Sequence, residues 1–382
     1  MTRSRHVLVP FGTRPEVVKL APVVAALEAA GHRVSVVDTG QHTDPALSSQ
    51  LQATLGLTPG QRFQLPVDPA DRSGALHADA ARAVARSAPD VVLALGDTNT
   101  VPAYALAARA AGVPFAHLEA GLRSLNPRSV EEVNRRVAAA AAQLHFAPTE
   151  RAAAFLTAEG VDAERVFVVG NPVIDTLVAR RVRRVPLAER SGVLVTAHRP
   201  TNVDDPVRLA RLVGVVRALA DEVGPVTFPV HPRTAARLAS AGLTGALDHP
   251  AITRTGPVAY DALLTALGSA RLAVTDSGGI QEEAAYLGVP VVVLRGSTPR
   301  WEGVEAGTTT LAGLTDDRAA AAVLRAAAGH TSAEGQERAD TVPCPYGDGT
   351  TGRRVAAVLA DERTDALLAL DEPDFTDGRL PW

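Results

Sequence analysis

The stretch T-D-S-G-G-I-Q-E-E-A, residues 275–284, joins a predicted buried strand to a predicted helix through a glycine turn. At such a junction the backbone N–H groups and the positive end of the helix dipole point at one spot, so Ser277, Gly278 and Gly279 are predicted to hold a phosphate. Glu283, about one turn into the helix, would reach a neighbouring pair of hydroxyl groups. The pattern predicts a nucleotide diphosphate site, with an ordinary glycine turn of a parallel-sheet protein as the alternative.

Three carboxylates in the first half of the chain follow predicted strands or begin a predicted helix: Asp97, Glu119 and Glu131. Asp97 comes directly after a strand and a glycine, where it could also act as a helix N-cap. No histidine-rich ligand set accompanies these acids. Carboxylates clustered near an anion site therefore indicate acid–base chemistry rather than a metal centre.

The segment S-V-E-E-V-N-R, residues 129–135, contains two adjacent glutamates with different predicted roles. Ser129 and Glu132 have the spacing of a capping box ahead of an apolar helix, so Glu132 is predicted to be structural. Glu131 is then available to face a ligand. Arg135 lies one helical turn further on the same side, and we predict that it binds substrate.

The chain has 38 basic side chains, of which only Lys19 is a lysine. A lysine is a compact point charge and an arginine is a planar fork, so the two are not equivalent at a tight site. Lys19 and Arg14 lie at the start of a helix that follows the first predicted strand, where open α/β sheets bind ligands. Both are predicted to contact the diphosphate or the sugar, although one lysine can also survive by chance.

Basic side chains also follow strands in the second half of the chain. His198 ends one predicted strand and could bind phosphate or transfer protons. His231 ends the next one, and Arg300 follows a third in the stretch S-T-P-R-W-E-G. Together with the glycine turn, this gives four strand ends with polar or basic groups, more than turns alone require.

Short apolar runs alternate with helical patterns along the chain, which predicts an α/β fold with parallel sheets. A charged, proline-containing segment at 180–190 predicts a boundary between two Rossmann-like domains, at 1–180 and 190–361. Residues 56–74 are predicted to be surface loop, and 75–88 a helix. A C-terminal helix at 362–376 is predicted to join the first domain.

The composition limits the protein class. With 382 residues, the chain can form two domains with separate cores. A net charge of −4 gives no excess of positive charge that would indicate binding to nucleic acid or acidic membranes. The single cysteine, Cys344, excludes an intramolecular disulfide, and the apolar run at 7–11 is too short for a signal peptide or a membrane span. A cytoplasmic location is expected.

With these stretches, the chain resembles the non-hydrolysing UDP-N-acetylglucosamine 2-epimerases. The segments that carry the resemblance occur in family order between about residue 6 and residue 360: F-G-T-R-P-E-x-x-K, G-D-T, H-L-E-A-G-L-R-S, E-E-x-N-R, F-A-P-T-E, G-N-P-V-I-D, T-A-H-R, V-H-P-R-T, T-D-S-G-G-I-Q-E-E and P-Y-G-D-G. The resemblance implies a GT-B glycosyltransferase-like fold, with two sheets facing each other across a cleft. It also implies elimination and re-addition of UDP through a glycal, with inversion at carbon 2.

The resemblance implies a role for most of the residues named above. These roles are diphosphate and sugar binding by Arg14 and Lys19, acid–base and charge-stabilising work by Asp97, Glu119 and Glu131, diphosphate contact by His198, phosphate binding by Ser277 to Gly279, ribose binding by Glu283, and phosphate pairing by Arg300. No cofactor or metal is implied. A UDP-sugar substrate and a homodimer are expected, and Gln41, His42 and Arg72 are candidates for binding a second, activating UDP-sugar.

The chain departs from the family pattern beside the sugar and the base. Val130 stands where many members have a proline, which puts the substrate's identity in question more than the reaction type. Leu263 stands where relatives place an aromatic residue against uracil, with Tyr260 nearby. The competing interpretations are a GT-B glycosyltransferase, a hydrolysing 2-epimerase and an inactive nucleotide-sugar sensor.

Overall fold

The computed structural model describes residues 3–41 and 45–370. The chain divides into two compact units. The first contains the chain up to Gly121, then Pro127–Pro172, and the chain from Thr350 onward. The second contains Leu122–Asn126 and Val173–Gly349.

The strands of the described residues are β1 (His6–Phe11), β2 (Arg33–Asp38), β3 (Gln61–Arg62), β4 (Val91–Leu95), β5 (Phe115–Leu118), β6 (Leu144–Ala147), β7 (Val166–Val168), β8 (Val193–Thr196), β9 (Val226–Pro229), β10 (Ile252–Thr255), β11 (Leu272–Thr275), β12 (Val291–Val293) and β13 (Thr309–Leu311).

The α-helices are α1 (Arg14–Ala29), α2 (Pro45–Leu55), α3 (Pro69–Ser87), α4 (Thr100–Ala110), α5 (Val130–Ala141), α6 (Glu150–Ala158), α7 (Pro172–Ala179), α8 (Pro200–Val203), α9 (Pro206–Glu222), α10 (Pro232–Ser240), α11 (Tyr260–Ser269), α12 (Gly278–Leu287), α13 (Trp301–Glu305), α14 (Ala319–Thr331), α15 (Ala333–Thr341), α16 (Thr351–Ala360) and α17 (Thr364–Leu368). No helix in the two described ranges is both long enough and apolar enough to cross a membrane.

The first unit contains a seven-stranded parallel sheet in the order β3-β2-β1-β4-β5-β6-β7. Every residue of β1, β4 and β5 is buried, which accounts for their nearly continuous apolar sequences, because helices cover both faces of such a sheet. The carboxyl ends of these three neighbouring strands lead directly to Gly12, Gly96 and Glu119. The parallel topology therefore brings three segments with predicted site residues to one edge of the sheet.

The second unit contains a six-stranded parallel sheet in the order β10-β9-β8-β11-β12-β13. One core cluster includes Val193 and Val195 of β8, Leu272 and Val274 of β11, and the buried side of α9, while Leu194 and Ala273 belong to a second cluster. His198, His231 and Ser277 follow β8, β9 and β11 within two residues, so they lie at one edge of this sheet. The predicted α/β class with two Rossmann-like domains is confirmed.

The predicted boundary of the second domain, at 361, is wrong for α16. This helix packs against α1 in the first unit, so closely that a Cβ atom on Gly352 would lie 2.8 Å from the carbonyl oxygen of Pro22. A glycine at this crossing lets the two helix backbones approach. The change of unit also comes at Pro172, before the charged linker.

Two local predictions also differ from the structure. Residues 56–74 are not all loop, since they contain β3 and the start of α3, which Asp68 caps by accepting a hydrogen bond from the Ala70 N–H at 2.9 Å. The predicted C-terminal helix is represented by α17, whose Leu368 lies in the core of the first unit. The rest of that prediction, from residue 371, lies outside the described residues.

Candidate active site

The turn between β1 and α1 is built around a buried carboxylate. Glu16 is 3% exposed, and its Oε2 accepts hydrogen bonds from the backbone N–H groups of Gly12 at 3.0 Å and Thr13 at 2.7 Å. The Thr13 hydroxyl donates to the same oxygen at 2.8 Å. Arg14 is the first residue of α1 and is partly exposed, so this turn fixes the backbone from which its side chain extends.

The only lysine of the chain pairs with a predicted catalytic acid. Lys19 Nζ donates a hydrogen bond to Oε1 of Glu119, and Asn171 Nδ2 donates to the same oxygen at 2.5 Å. The two charged side chains are 6% and 4% exposed. Lys19, predicted to bind the diphosphate or the sugar, therefore also holds the carboxylate of Glu119 in place.

The backbone around Glu119 is restricted. Glu119 has a φ of 64°, in the left-handed region that side chains other than glycine rarely adopt. Gly121 follows with a φ of 81°, and a Cβ atom there would lie 2.0 Å from the Ala152 carbonyl oxygen. The backbone after β5 is thus held in an uncommon conformation, in which the Glu119 side chain contacts Lys19.

The segment Gly96–Asn99, which we call the Asp97 loop, is held by α5. Arg135 is 2% exposed and its guanidinium group bonds the Asp97 carboxylate and, at 2.6 Å, Oε2 of Glu132. Asn134 Nδ2 donates to the Asp97 carbonyl oxygen at 2.9 Å. Arg135 was predicted to bind substrate, and the structure gives it two carboxylate partners within the protein. The Asp97 side chain itself remains 29% exposed.

The predicted capping box at the start of α5 is not formed. Ser129 is the N-cap residue without a side-chain capping hydrogen bond, and its hydroxyl donates to Oε2 of Glu131 at 2.6 Å. Glu132 instead pairs with Arg135, because residues three apart on a helix can also form an ion pair along its surface. Glu131 is partly exposed, so its carboxylate is accessible in the first turn of α5.

In the second unit, the glycine turn before α12 places Arg300 at the helix N-terminus. A Cβ atom on Gly278 would lie 2.9 Å from the guanidinium carbon of Arg300, whereas one on Gly279 would find its nearest atom 3.9 Å away. The Arg300 guanidinium donates to Glu282 at 2.8 Å through Nε. Ser277 caps the helix by accepting from the Ile280 N–H at 3.5 Å. Free N–H groups and a guanidinium together suit an anion.

His198 and His231 lie beside each other near this turn, with ring centroids 5.4 Å apart. Asp276, which is fully buried, accepts hydrogen bonds from the backbone N–H groups of His198 at 3.1 Å and Arg199 at 2.9 Å. Desolvation lowers the pKa of His198, against the raising effect of Asp276. His231 Nδ1 accepts from the Arg233 N–H at 3.2 Å, so this histidine caps α10.

Glu283 lies on the inner side of α12 and is 5% exposed. The Tyr260 hydroxyl donates to its Oε1 at 2.8 Å. Burial and the Glu283 charge raise the pKa of Tyr260, so the phenol keeps its proton for this bond. A carboxylate with one oxygen fixed in this way presents a defined acceptor to a ligand hydroxyl pair.

A cavity of 830 Å³ lies in the first unit next to the Asp97 loop. Gln41, Arg72 and Asn99 are among the residues that line it. Arg72 donates to the carbonyl oxygens of Pro66 at 2.9 Å and Val67 at 3.1 Å. Two of the three residues predicted to bind an activator therefore lie at one cavity, and His42 lies outside the described residues.

Three residues that organise the two sites, Glu16, Asp276 and Asn171, were not predicted from the sequence. Glu16 could have been found as the last residue of T-x-x-E, a capping-box pattern. Asp276 and Asn171 lie within recognised segments, T-D-S-G-G-I-Q-E-E and G-N-P-V-I-D, but no role was assigned to them because their partners are 78 and 52 residues away in sequence. Within the described ranges, no group of three or more histidine, cysteine, aspartate or glutamate side chains is arranged to hold a metal ion.

A family model described as UDP-N-acetylglucosamine 2-epimerase matches residues 25–360. The chain belongs to this family. A probable UDP-N-acetylglucosamine 2-epimerase of Ralstonia nicotianae is 37% identical over 379 residues, which cover 93% of this chain and 98% of that protein. A UDP-2,3-diacetamido-2,3-dideoxy-D-glucuronate 2-epimerase of Pseudomonas aeruginosa is 34% identical, covering 93% of this chain and 99% of that one.

The fold is also that of a solved family member. The crystal structure of the Methanocaldococcus jannaschii UDP-GlcNAc 2-epimerase in complex with UDP-GlcNAc and UDP matches with a TM-score of 0.82 at 30% identity. The match covers 93% of this chain and 99% of the other. The UDP-N-acetylglucosamine 2-epimerase family indicated by the sequence motifs, and the GT-B-like class, are thereby confirmed.

Proposed function

We propose that this chain is a non-hydrolysing 2-epimerase that interconverts UDP-N-acetylglucosamine and UDP-N-acetylmannosamine. The observation that carries the proposal is the Lys19–Glu119–Asn171 contact, in which the chain's only lysine orients an acid at a strand end. Such a buried pair has a large desolvation cost, so a function for its geometry is more plausible than a purely structural role.

The proposed reaction has two steps that are the reverse of each other. A carboxylate takes the proton from carbon 2, the C–H electron pair becomes the C1=C2 double bond, and the C1–O pair leaves with UDP. UDP then adds back at carbon 1 while a proton is delivered to the opposite face of carbon 2. We propose that Asp97 and Glu131, both partly exposed, move the protons. The buried Glu119 supplies fixed negative charge beside the sugar.

The second unit carries the proposed stabilisation of the leaving group. The N-terminus of α12 and the Arg300 guanidinium would meet the charge that develops on UDP, and His198 would assist them. One oriented donor of this kind typically contributes about 2.7–4 kcal/mol to lowering a barrier. We further propose that His231 contacts the diphosphate through Nε2, since its Nδ1 caps α10. Glu283 would bind the ribose. Arg14 would bind the diphosphate or the sugar.

The diacetamido-glucuronate relative motivates a second candidate substrate. It has 34% identity and nearly full coverage, and its name describes the 2-epimerisation of another UDP-sugar. The chemistry proposed for Asp97, Glu119 and Glu131 would serve either sugar. Both substrates therefore belong in the test.

The test is proton NMR of the purified protein with UDP-N-acetylglucosamine in heavy water. The proposal predicts deuterium at carbon 2 and the 2-epimer of the UDP-sugar, without any acceptor. Free N-acetylmannosamine with stoichiometric UDP would support a hydrolysing enzyme instead. Transfer only after an acceptor is added would support a glycosyltransferase, and binding without exchange of either UDP-sugar would support a sensor.

We also propose that the protein is a cytoplasmic homodimer and that the cavity at Gln41 and Arg72 binds an activating UDP-sugar. The cavity is large enough for a nucleotide sugar and has a guanidinium at its wall. Sedimentation analysis tests the dimer. A sigmoidal dependence of rate on UDP-N-acetylglucosamine that becomes hyperbolic in Arg72→Ala would support the activator, and unchanged hyperbolic kinetics in both proteins would contradict it.

A further inference from the structure

The buried carboxylate of Glu16 connects two segments that are 82 residues apart in sequence. Its Oε2 accepts the three hydrogen bonds of the β1–α1 turn. Its Oε1 accepts a hydrogen bond from the Thr98 hydroxyl at 2.9 Å. Thr98 lies in the Asp97 loop, directly after Asp97. One carboxylate thus joins the turn that carries Arg14 to the loop that carries a proposed acid.

A simple helix cap does not require this arrangement. In a capping box the glutamate bonds the backbone N–H of the N-cap residue, and it normally stays near solvent. Glu16 is 3% exposed, and burial of a carboxylate is costly unless all its acceptor positions are used. The bond from Thr98 adds nothing to the cap of α1. Its effect is to fix the distance between the two segments.

The Asp97 loop is held from its other side by α5. Asn134 bonds the Asp97 backbone carbonyl oxygen, and Arg135 bonds the Asp97 side chain. The bond from Thr98 to Glu16 ties this loop directly to the β1–α1 turn. Thr100, the first residue after the loop, reaches the end of β1 through Thr39, whose hydroxyl donates to the Phe11 carbonyl oxygen at 3.1 Å and lies 3.0 Å from the Thr100 hydroxyl. Loss of the Thr98 bond therefore removes the direct link between Asp97's side of the loop and the turn that carries Arg14, while the bonds to α5 remain intact.

We propose that Glu16, through its hydrogen bond with Thr98, is a positioning residue that sets the place of Asp97 relative to the basic residues of α1. The inference rests on the proposed function, because it assumes that Asp97 reacts with a sugar held by α1. A shift of about 1 Å in a reacting group can lower a rate by about 10²-fold. Loss of the link should therefore lower kcat far more than it raises KM.

The sharpest variant is Thr98→Val, which removes one hydroxyl and leaves the cap of α1 complete. The matched control is Thr364→Val, since the Thr364 hydroxyl likewise donates one hydrogen bond, to the Val358 carbonyl oxygen at 2.6 Å. We expect Thr98→Val to lower kcat ten- to a hundredfold with KM changed less than threefold. Thr364→Val should retain kcat within twofold.

Substitutions of Glu16 itself distinguish the link from the charge. Glu16→Gln can keep an oxygen toward Gly12 and Thr13 and donate from its amide to the Thr98 hydroxyl, so it should retain kcat within fivefold of wild type. Glu16→Ala should lose at least as much as Thr98→Val. If Glu16→Gln is as slow as Glu16→Ala while both remain folded, the proposed link is not what positions Asp97.

Hydrogen–deuterium exchange of the free protein gives a readout that does not depend on turnover. Thr98→Val should exchange the amides of residues 96–99 at least tenfold faster than wild type, and Thr364→Val should not. Equal exchange and kcat in the two valine variants would overturn the inference. If the wild type exchanges no proton at carbon 2, the proposed function fails, and faster exchange in Thr98→Val still shows the link.

Discussion

Lys19 and Glu119 form a buried ion pair across 100 residues of sequence, between the first turns of α1 and the end of β5. The pair explains why a chain rich in arginine has kept a lysine at this position. A guanidinium group is wider than an ammonium group and presents its donors in a plane, so it cannot replace Nζ beside Glu119 and Asn171 without displacing one of them.

Lys19→Arg is therefore expected to lower kcat at least a hundredfold, and Lys19→Met by more. Removing one partner of a buried pair typically costs about 3–5 kcal/mol, so the unfolding temperature of Lys19→Met should fall as well. The rates are measured by NMR with UDP-N-acetylglucosamine. Arg86→Lys, the reverse exchange at an exposed position of α3, is the control. A Lys19→Arg enzyme with nearly normal kcat would contradict the proposed geometry.

Two adjacent arginines of α5 allow a matched comparison. Arg135 is buried and bonds both Asp97 and Glu132, whereas Arg136 is half exposed and pairs with Glu159 at 3.0 Å and, at a longer 3.6 Å, with Glu132. Arg135→Gln should lower kcat at least tenfold, because it leaves buried Glu132 short of a partner and releases Asp97. Arg136→Gln should remain within twofold of wild type, as exposed ion pairs contribute little. Similar rates in the two variants would rule out a special role for Arg135.

The two glycines that begin α12, Gly278 and Gly279, should differ in how well they tolerate an added methyl group. In Gly278→Ala the new methyl group meets Arg300, so the guanidinium must move even without ligand. We expect weaker UDP binding by calorimetry, at least tenfold, and a lower unfolding temperature. The methyl group of Gly279→Ala has room, so the unfolding temperature of this variant should match that of wild type. Any effect of this substitution should appear only as a lower affinity for UDP. Equal unfolding temperatures in the two variants would contradict the close approach of Arg300.

The buried Glu16 should make the free energy of unfolding of the protein depend on pH. Burial raises its pKa from 4.5 to about 7, although hydrogen bonds from Gly12, Thr13 and Thr98 act in the opposite direction. The folded state therefore binds this proton more tightly than the unfolded chain. The stabilisation that comes from binding this proton is complete below about pH 4.5 and is lost as the pH rises through about 7. The total loss in the free energy of unfolding is on the order of 3 kcal/mol.

Glu16→Gln cannot ionise, so it should gain stability relative to wild type as the pH increases from 5 to 8. Urea unfolding of both proteins at the two pH values measures this difference. Thr364→Val, which alters no ionisable group, should show the same pH dependence as wild type. A constant difference between Glu16→Gln and wild type would mean that the four hydrogen bonds keep Glu16 ionised throughout this range.

Sequence reasoning succeeded where the signal was local. The apolar strands and the S-G-G turn could be recognised because strand burial and helix starts depend on neighbouring residues. Partners such as Thr98 for Glu16, or Glu119 for Lys19, depend on which strands become neighbours, so no spacing in the sequence reveals them. Glu132 shows a second limit, since the same three-residue spacing suits both a capping box with Ser129 and an ion pair with Arg135.

The packing of α16 was also mispredicted because it depends on residues that are distant in sequence. Its apolar face indicated a helix but not the surface it covers, and only the close approach of Gly352 to Pro22 shows that it packs on α1. The start of α3 was hidden by a proline- and glycine-rich composition, although Asp68 and Pro69 form a regular N-terminus. In both cases tertiary packing decided what composition left open.

We propose that Asp97 and Glu131 transfer the proton at carbon 2 and that Glu119 supplies fixed negative charge beside the sugar. The measurement that tests it most directly is proton NMR of deuterium incorporation at carbon 2 of UDP-N-acetylglucosamine, for wild type and for Asp97→Asn, Glu119→Gln and Glu131→Gln. We predict exchange and epimerisation by wild type, and rates at least a hundredfold lower in each folded variant. Wild-type exchange rates in all three variants would contradict the account.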